Sequence, residues 1–274
     1  MQVRYAIIDV MNIVYRVWHA GDEEMWAAKS GPLLGAIVRS LKKIETDLCV
    51  DTSVFCFDGG FDYRKSIYSG YKENRKDESQ SPEKKALRER LYEEVEALRT
   101  VALPLMGARN IFWERGFEAD DLIASCVKNL DLAKKVYLVS TDEDLYQLIE
   151  GNRVVIYKPG KQTVYAEDDY RNEFYDTPPC LYASAKAWAG CSSDGIPGLP
   201  RVGIKTACKF VSGHTTNKQD WFDHLEVYNR NIKLVKLPAP GTPKCVPVEQ
   251  TEPIQWDDAI SRVEKIATPR GLRR

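Results

Sequence analysis

Apolar residues in this chain follow two spacings, compact runs and longer stripes at helical period. Ala6-Ile7-Ile8 and Val54-Phe55-Cys56-Phe57 are compact runs, and with two others they predict strands at about 3–9, 53–57, 109–113 and 135–140. After the first strand the pattern predicts a loop, then a helix over about 31–49, where Leu33, Leu34, Ile37, Val38, Leu41, Ile44 and Leu48 share one face. Ser81-Pro82-Glu83 starts another helix with proline at its first position, and Leu87, Leu91, Val95, Leu98 and Val101 form its stripe. A further helix opens at Glu118-Ala-Asp120-Asp121, and a short one carries Leu145, Leu148 and Ile149. Strands at about 153–158 and 162–166 form a hairpin across Pro159-Gly160. Strand–helix alternation of this kind predicts an α/β class protein with a mostly parallel sheet covered on both faces.

Beyond Asp176-Thr-Pro-Pro179 the pattern becomes helices separated by Gly/Pro turns, at about 180–190, 203–211 and 218–235, with a loop over 191–203. A domain boundary is expected near 177, giving domains 1–177 and 178–274. The segment from Pro238 to Pro253 is too proline-rich for regular helix or a central strand and should wrap the body, followed by a loosely held basic end.

With 274 residues, 43% hydrophobic and 29% charged, the composition is that of an ordinary soluble protein. No apolar run reaches the roughly 20 residues of a membrane span. The first residues enter a strand at once, without the pattern of a signal peptide. Seven cysteines with no Cys-x-x-Cys pair point to reduced thiols in a cytosolic compartment, and three scattered histidines exclude a histidine-rich zinc cage. Net charge is −1, but its distribution is uneven. Residues 64–90 carry nine Lys/Arg against five Asp/Glu, whereas residues 114–144 carry eight acids against four bases. A negative centre with positive outliers suits a protein that grips a phosphate backbone around bound cations, although solvated faces alone would give the same counts.

Eight carboxylates sit where strands end or helices begin: Asp9, Asp58, Glu118, Asp120, Asp121, Asp142, Asp144 and Asp194. Carboxyl ends of parallel strands share one crevice, so these acids should meet and require hard divalent cations to offset their repulsion. Metal-dependent phosphodiester chemistry follows from such paired ions. Taken singly, each acid has a structural reading: a helix-dipole partner in the Glu118 cluster, an N-cap at Asp142, a turn residue at Asp9 or Asp58. In the loop from Gly190 to Lys205, Gly198 and Gly203 permit close backbone approach, and the helix that follows offers free N–H groups to a phosphate.

Asp9, Phe57-Asp58, Tyr71-Lys72-x-Asn-Arg75, Glu118-Ala-Asp120-Asp121, Ser140-Thr141-Asp142-x-Asp144 and Ser193-Asp194-Gly-Ile-Pro-Gly occur in this order. Together they resemble the 5′ nuclease (flap endonuclease) family, over roughly residues 3–236. The resemblance implies a PIN-like catalytic domain with a helical arch at about 62–90. A C-terminal helix–three-turn–helix (helix-hairpin-helix) domain that binds duplex DNA would follow. It implies two Mg²⁺ or Mn²⁺ ions, the first held by Asp9, Asp58, Glu118, Asp120 and Asp121, the second by Asp142, Asp144 and Asp194, and a K⁺ ion in the 191–203 loop. Lys72 and Arg75 would approach the scissile phosphate beside the catalytic Asp120 and Asp121, and Tyr71 would stack on a terminal base. Arg64, Arg201 and Lys205 would join Gly198 and Gly203 in gripping DNA. Partners implied are DNA with 5′ ends, flaps or nicks and RNA–DNA hybrids, bound by a monomer in the cytoplasm of a bacterial or phage-infected cell. One departure stands out: Cys191 occupies a position that is usually Asp in this family, and thiol sulfur is a poor ligand for Mg²⁺. Weaker binding of the second ion and better activity with Mn²⁺ are expected. A DNA-binding protein of the same fold without chemistry, and a PIN-type RNase, are the competing readings.

Overall fold

The protein is represented by a computed structural model, which describes residues 2–21, 26, 33–73, 81–214 and 219–257. Strands β1 (Arg4–Asp9), β2 (Thr52–Phe57), β3 (Asn110–Trp113), β4 (Lys135–Val139), β5 (Val154–Lys158) and β6 (Thr163–Tyr165) form one sheet in the order β3-β2-β1-β4-β5-β6. All neighbours pair in parallel except β6, which returns antiparallel along β5 as the hairpin pattern predicts. β1 and β2 are apolar runs because both of their faces are covered, the signature of a central parallel strand.

Two apolar layers sandwich the sheet. One contains Ile8, Phe55 and Phe57 with α1 (Val10–Ala20) and α2 (Leu33–Leu48). The other contains Ile7, Val54 and Leu138. They pack with Leu122 and Ile123 of α5 (Ala119–Asn129), and with Trp188, Ala207 and Phe210 from the later helices α7 (Tyr182–Ala189) and α8 (Ile204–Val211). This second layer crosses residue 177 without a break, so the later helices share the sheet's core.

Several local expectations change. The loop expected after β1 is helix α1, capped by Asp9, whose Oδ1 accepts the Asn12 N–H at 3.0 Å. Val10, Met11, Ile13 and Val14 bury one face of it, so apolar residues continue from strand into helix without a gap. Helix α4 (Pro82–Ala97) starts at proline, with Ser81 capping it, and runs on through a wide π turn at Leu98–Ala102. The short helix near Leu145 is a 3₁₀ segment, Glu143–Leu148, and the helix expected over 218–235 is two pieces, α9 (Gln219–Phe222) and α10 (Leu225–Val235). Short helices α3 (Asp62–Ile67) and α6 (Glu167–Glu173) carry too few turns to show an apolar period. Residues 74–80 of the expected arch, including Arg75, and the basic end beyond 257 lie outside the described residues. Among the described residues no helix is long and apolar enough to cross a membrane.

The proline-rich segment wraps the body as expected. Ser125 Oγ donates to Pro243 O at 2.7 Å and accepts Cys245 N–H at 3.0 Å. The Asn110 side chain clasps the backbone of Val248 on both sides, each bond 2.8 Å. Gln250 N–H reaches Thr52 Oγ1, and Ile254 and Trp256 enter the first apolar layer.

Arg64, expected to grip DNA, is instead only 3% exposed and holds three parts of the fold together. Its guanidinium makes a two-pronged bond to Asp121 at 2.6 and 2.9 Å, donates to Leu234 O at 2.8 Å, and stands 3.1 Å from Glu118. Asp121, expected as a metal ligand, is fully buried; besides Arg64 it accepts Ala239 N–H at 2.8 Å and Glu118 N–H at 3.3 Å. With its oxygens so engaged, Asp121 anchors the fold. Changing Arg64 to leucine strands a buried carboxylate and should lower unfolding free energy by about 3–5 kcal/mol. The double variant Arg64→Leu, Asp121→Leu should regain part of that loss, and urea denaturation of both variants checks the pair.

Candidate metal centre

The remaining acids converge at the carboxyl ends of β1, β2 and β4, where parallel strand ends open into one crevice. Asp9 ends β1 and Asp58 follows β2, its Oδ1 accepting Ala119 N–H at 2.7 Å at the start of α5. Asp120 lies in the first turn of α5, and Asp142 and Asp144 flank the start of the 3₁₀ segment after β4. Carboxylate oxygens of Asp120, Asp142 and Asp144 all lie within 4.8 Å of one another.

Ser140 ties two of these strands together. Its hydroxyl donates to Asp9 Oδ2 at 3.0 Å and accepts Asp142 N–H at 3.0 Å. Asn12 adds a second tie, donating to Thr141 Oγ1 at 2.9 Å and accepting Thr141 N–H at 3.3 Å. Both residues fix where the acids stand.

Crowding has an electrostatic cost. Burial, then the charges of Asp58 and Asp142, push Asp9 from the ordinary 3.8 up to about 7. Asp120 is raised well above its ordinary value by burial, then by Asp142, Asp9, Glu118 and Asp58. Oxygen-only donors under mutual repulsion fit a hard divalent cation, which would relieve both causes at once.

Basic side chains divide the other acids. Lys72 pairs with Glu118 through a short contact, and its Nζ stands 3.8 Å from Asp194 Oδ1 while its N–H bonds Asp194 O at 2.8 Å. Glu118 also accepts the Tyr71 hydroxyl at 2.8 Å. Tyr71, expected to stack on a base, is 3% exposed and packs edge-on against Phe61, so it cannot offer a free face. Burial and Glu118 hold its hydroxyl proton firmly, with the pKa raised. Asp144 is met by Lys186 of α7, a residue the sequence reading passed over. A lone base among the small residues of Tyr182-Ala-Ser-Ala-Lys186-Ala was the available signal.

In the 191–203 loop, Cys191 Sγ lies 3.1 Å from Ser193 Oγ and 3.6 Å from Asp194 Oδ2. A Cβ on Gly198 would fall 2.1 Å from Ala189 O, so this glycine serves an internal close approach rather than a ligand. Gly190, with φ +74°, faces it across the same crossing. Arg201, Gly203 and Lys205 are exposed together at the start of α8, and Gly203 has open space around it.

Residues 4–175, well over half of the chain, match the model of the family described as 5′-3′ exonuclease, N-terminal resolvase-like domain. The chain belongs to this family. A 5′-3′ exonuclease of Buchnera aphidicola subsp. Schizaphis graminum is 30% identical over 210 residues, covering 74% of this chain and 66% of that protein. The thermostable DNA polymerase I of Thermus aquaticus is 27% identical over 238 residues, covering 85% of this chain and 26% of the polymerase. The chain therefore spans just under two thirds of the exonuclease and about a quarter of the polymerase. Among solved structures, the bacteriophage T5 D15 protein co-crystallised with metal ions superposes with TM-score 0.72 at 21% identity, over 96% of this chain and 99% of that one. That likeness shows a shared fold.

The raised carboxyls set the sign of a pH effect. Between the ordinary and folded values the folded protein binds protons that the unfolded chain has released, so stability falls as pH rises through that window. Without divalent ions, the melting temperature should fall between about pH 4 and about pH 7, and millimolar Mn²⁺ should restore it mainly at the upper end. Differential scanning calorimetry with and without chelator reads both effects.

Proposed function

We propose that the protein is a divalent-metal-dependent 5′ nuclease that hydrolyses DNA phosphodiester bonds at 5′ ends, nicks and flaps, as exonuclease and flap endonuclease. The observation that carries this reading is the convergence of Asp120, Asp142 and Asp144 oxygens within 4.8 Å, inside the segment that matches the exonuclease family. Asp120, Asp142 and Asp144, flanked by Asp9 and Asp58, would hold one ion; Asp194 with Asp142 and Asp144 would serve a second. Divalent ions bound there supply Lewis acidity that eases ionisation of a water and offsets charge at phosphorus. Mg²⁺ or Mn²⁺ would fill this role, and a K⁺ ion would sit in the 191–203 loop.

The chain's own residues do the positioning. Ser140 and Asn12 fix the strand ends, Tyr71 orients Glu118, and Lys72 holds a cation beside both Glu118 and Asp194. Lys72 would shift from these carboxylates toward the scissile phosphate as DNA enters, supplying charge where the transition state gathers it. Arg201 and Lys205, with the exposed N–H groups near Gly203, would contact duplex backbone. The same reading carries a monomer acting in the cytoplasm during replication or repair, removing flaps and RNA primers.

Asp120→Asn should abolish cleavage of a labelled 5′-flap duplex while leaving DNA binding intact. Lys72→Ala should slow cleavage, by about a hundredfold, more than it weakens binding. Both are checked by single-turnover cleavage and binding in Mg²⁺ and Mn²⁺, with single-stranded RNA as control; wild-type rates in Asp120→Asn would remove the metal reading. Cys191 favours a second reading, a DNA-binding protein weakened in chemistry, because its sulfur replaces an oxygen donor. Cys191→Asp should tighten Mn²⁺ binding and lower the Mg²⁺ needed for cleavage, and unchanged metal dependence would refute a ligand-loss effect.

A further inference from the structure

Lys72 carries its side chain on a backbone conformation that most residues avoid. Its φ is +54°, in the left-handed region, which costs a non-glycine residue free energy unless the surroundings impose it. Two segments impose it here. Asp194 O, in the 191–203 loop, accepts the Lys72 N–H at 2.8 Å. A turn over 68–71 delivers the chain to that point, with Tyr71 N–H bonded to Tyr68 O at 3.0 Å. The turn is tight, since a Cβ on Gly70 would fall 2.7 Å from the Tyr68 ring. Tyr71 and Ile196 share a small apolar cluster with Ala187 of α7 and Leu234 of α10, which packs turn and loop together.

Arg230 of α10 holds both segments at once. Its Nη2 donates to Pro197 O at 3.0 Å, and its guanidinium lies over the Tyr68 ring, 5.0 Å from the centroid. Its Nε donates to Asn231 Oδ1 at 3.0 Å. Asn231 is fully buried and sends its amide to Pro197 O and Ala187 O, each at 2.9 Å, which pins the loop to α7. Contacts therefore close a ring that runs from Arg230 through Pro197, Asp194, Lys72 and Tyr68 back to Arg230. A planar fork that meets a carbonyl with one edge and an aromatic face with its plane has few orientations open to it.

We propose that Arg230 is a positioning residue for Lys72, holding its ammonium where it meets the scissile phosphate. The inference rests on the nuclease reading and adds a residue to it. Arg230 acts through the ring of contacts and touches no reacting atom. Precision matters there, because a shift of about 1 Å at a reacting centre can cost about a hundredfold in rate.

The test measures single-turnover cleavage of a labelled 5′-flap duplex by the full chain, and binding of that duplex in Ca²⁺ by fluorescence anisotropy. Arg230→Ala should slow cleavage by about ten- to a hundredfold while affinity stays within about twofold of wild type. Binding should keep the wild-type dependence on salt, since no phosphate contact is lost. Arg230→Lys keeps a cation over Tyr68 and a donor for Pro197 O, and should regain most of the rate. In a Lys72→Ala background, Arg230→Ala should cost nothing more, because the group that it places is gone. Damage to the fold would instead add to the loss from Lys72→Ala, and additive losses overturn the proposal, as does wild-type cleavage by Arg230→Ala. Weaker binding by Arg230→Ala, with a salt slope smaller by about one, marks a DNA contact and overturns it too. If wild type cleaves no flap in Mg²⁺ or Mn²⁺, it is the nuclease reading that fails.

Discussion

A guanidinium sealed inside the protein between two carboxylates is the joint on which the rest of the structure hangs. Arg64 joins α3 to the start of α5 and to the last turn of α10, and Asp121 passes the connection on to Ala239. Glu118 caps α5 and Asp120 lies in its first turn, so the same joint fixes where two acids of the crevice stand. A buried ion pair is weak evidence for stability, because desolvation offsets much of the attraction. Its value here is geometric: a forked donor and a two-oxygen acceptor allow one orientation.

Acids in the crevice fall into two groups by what stands next to them. Glu118, Asp121 and Asp144 each have a basic side chain within contact. Asp9 and Asp120 sit among other carboxylates and hold their protons more tightly than usual. Neutralisation of the first group leaves the repulsion concentrated on the second. Lys72 belongs to both the acid centre and the ring of contacts closed by Arg230, so a shift in one is felt in the other.

Much of the fold was legible because central parallel strands are buried on two faces and write continuous apolar runs, as β1 and β2 do. α1 was hidden by the same fact, since Val10 and Met11 prolong the run of β1 and Asp9 looks like a turn residue when it is a cap. Among adjacent acids, sequence could not say which turned inward. Asp121 shares a helix face with Ser125, four residues on, and that polar pair on a buried stripe was the sign that both serve packing. Arg64 resembled its basic neighbours, because only its partners from residues 118–121 and 234 distinguish it. Arg230 was as hard to single out, since Tyr68 and Pro197 meet it only in the fold.

The clasp at Asn110 has a consequence for assembly. β3 is the outermost strand on its side of the sheet, and such a strand ordinarily offers its backbone to any passing peptide. Here the segment around Val248 is fastened by a side-chain amide, with Gln250 fastened likewise to Gly107. A ladder of backbone bonds would have made a seventh strand with an open rim of its own. Amide fasteners finish this border of the sheet instead of moving it outward.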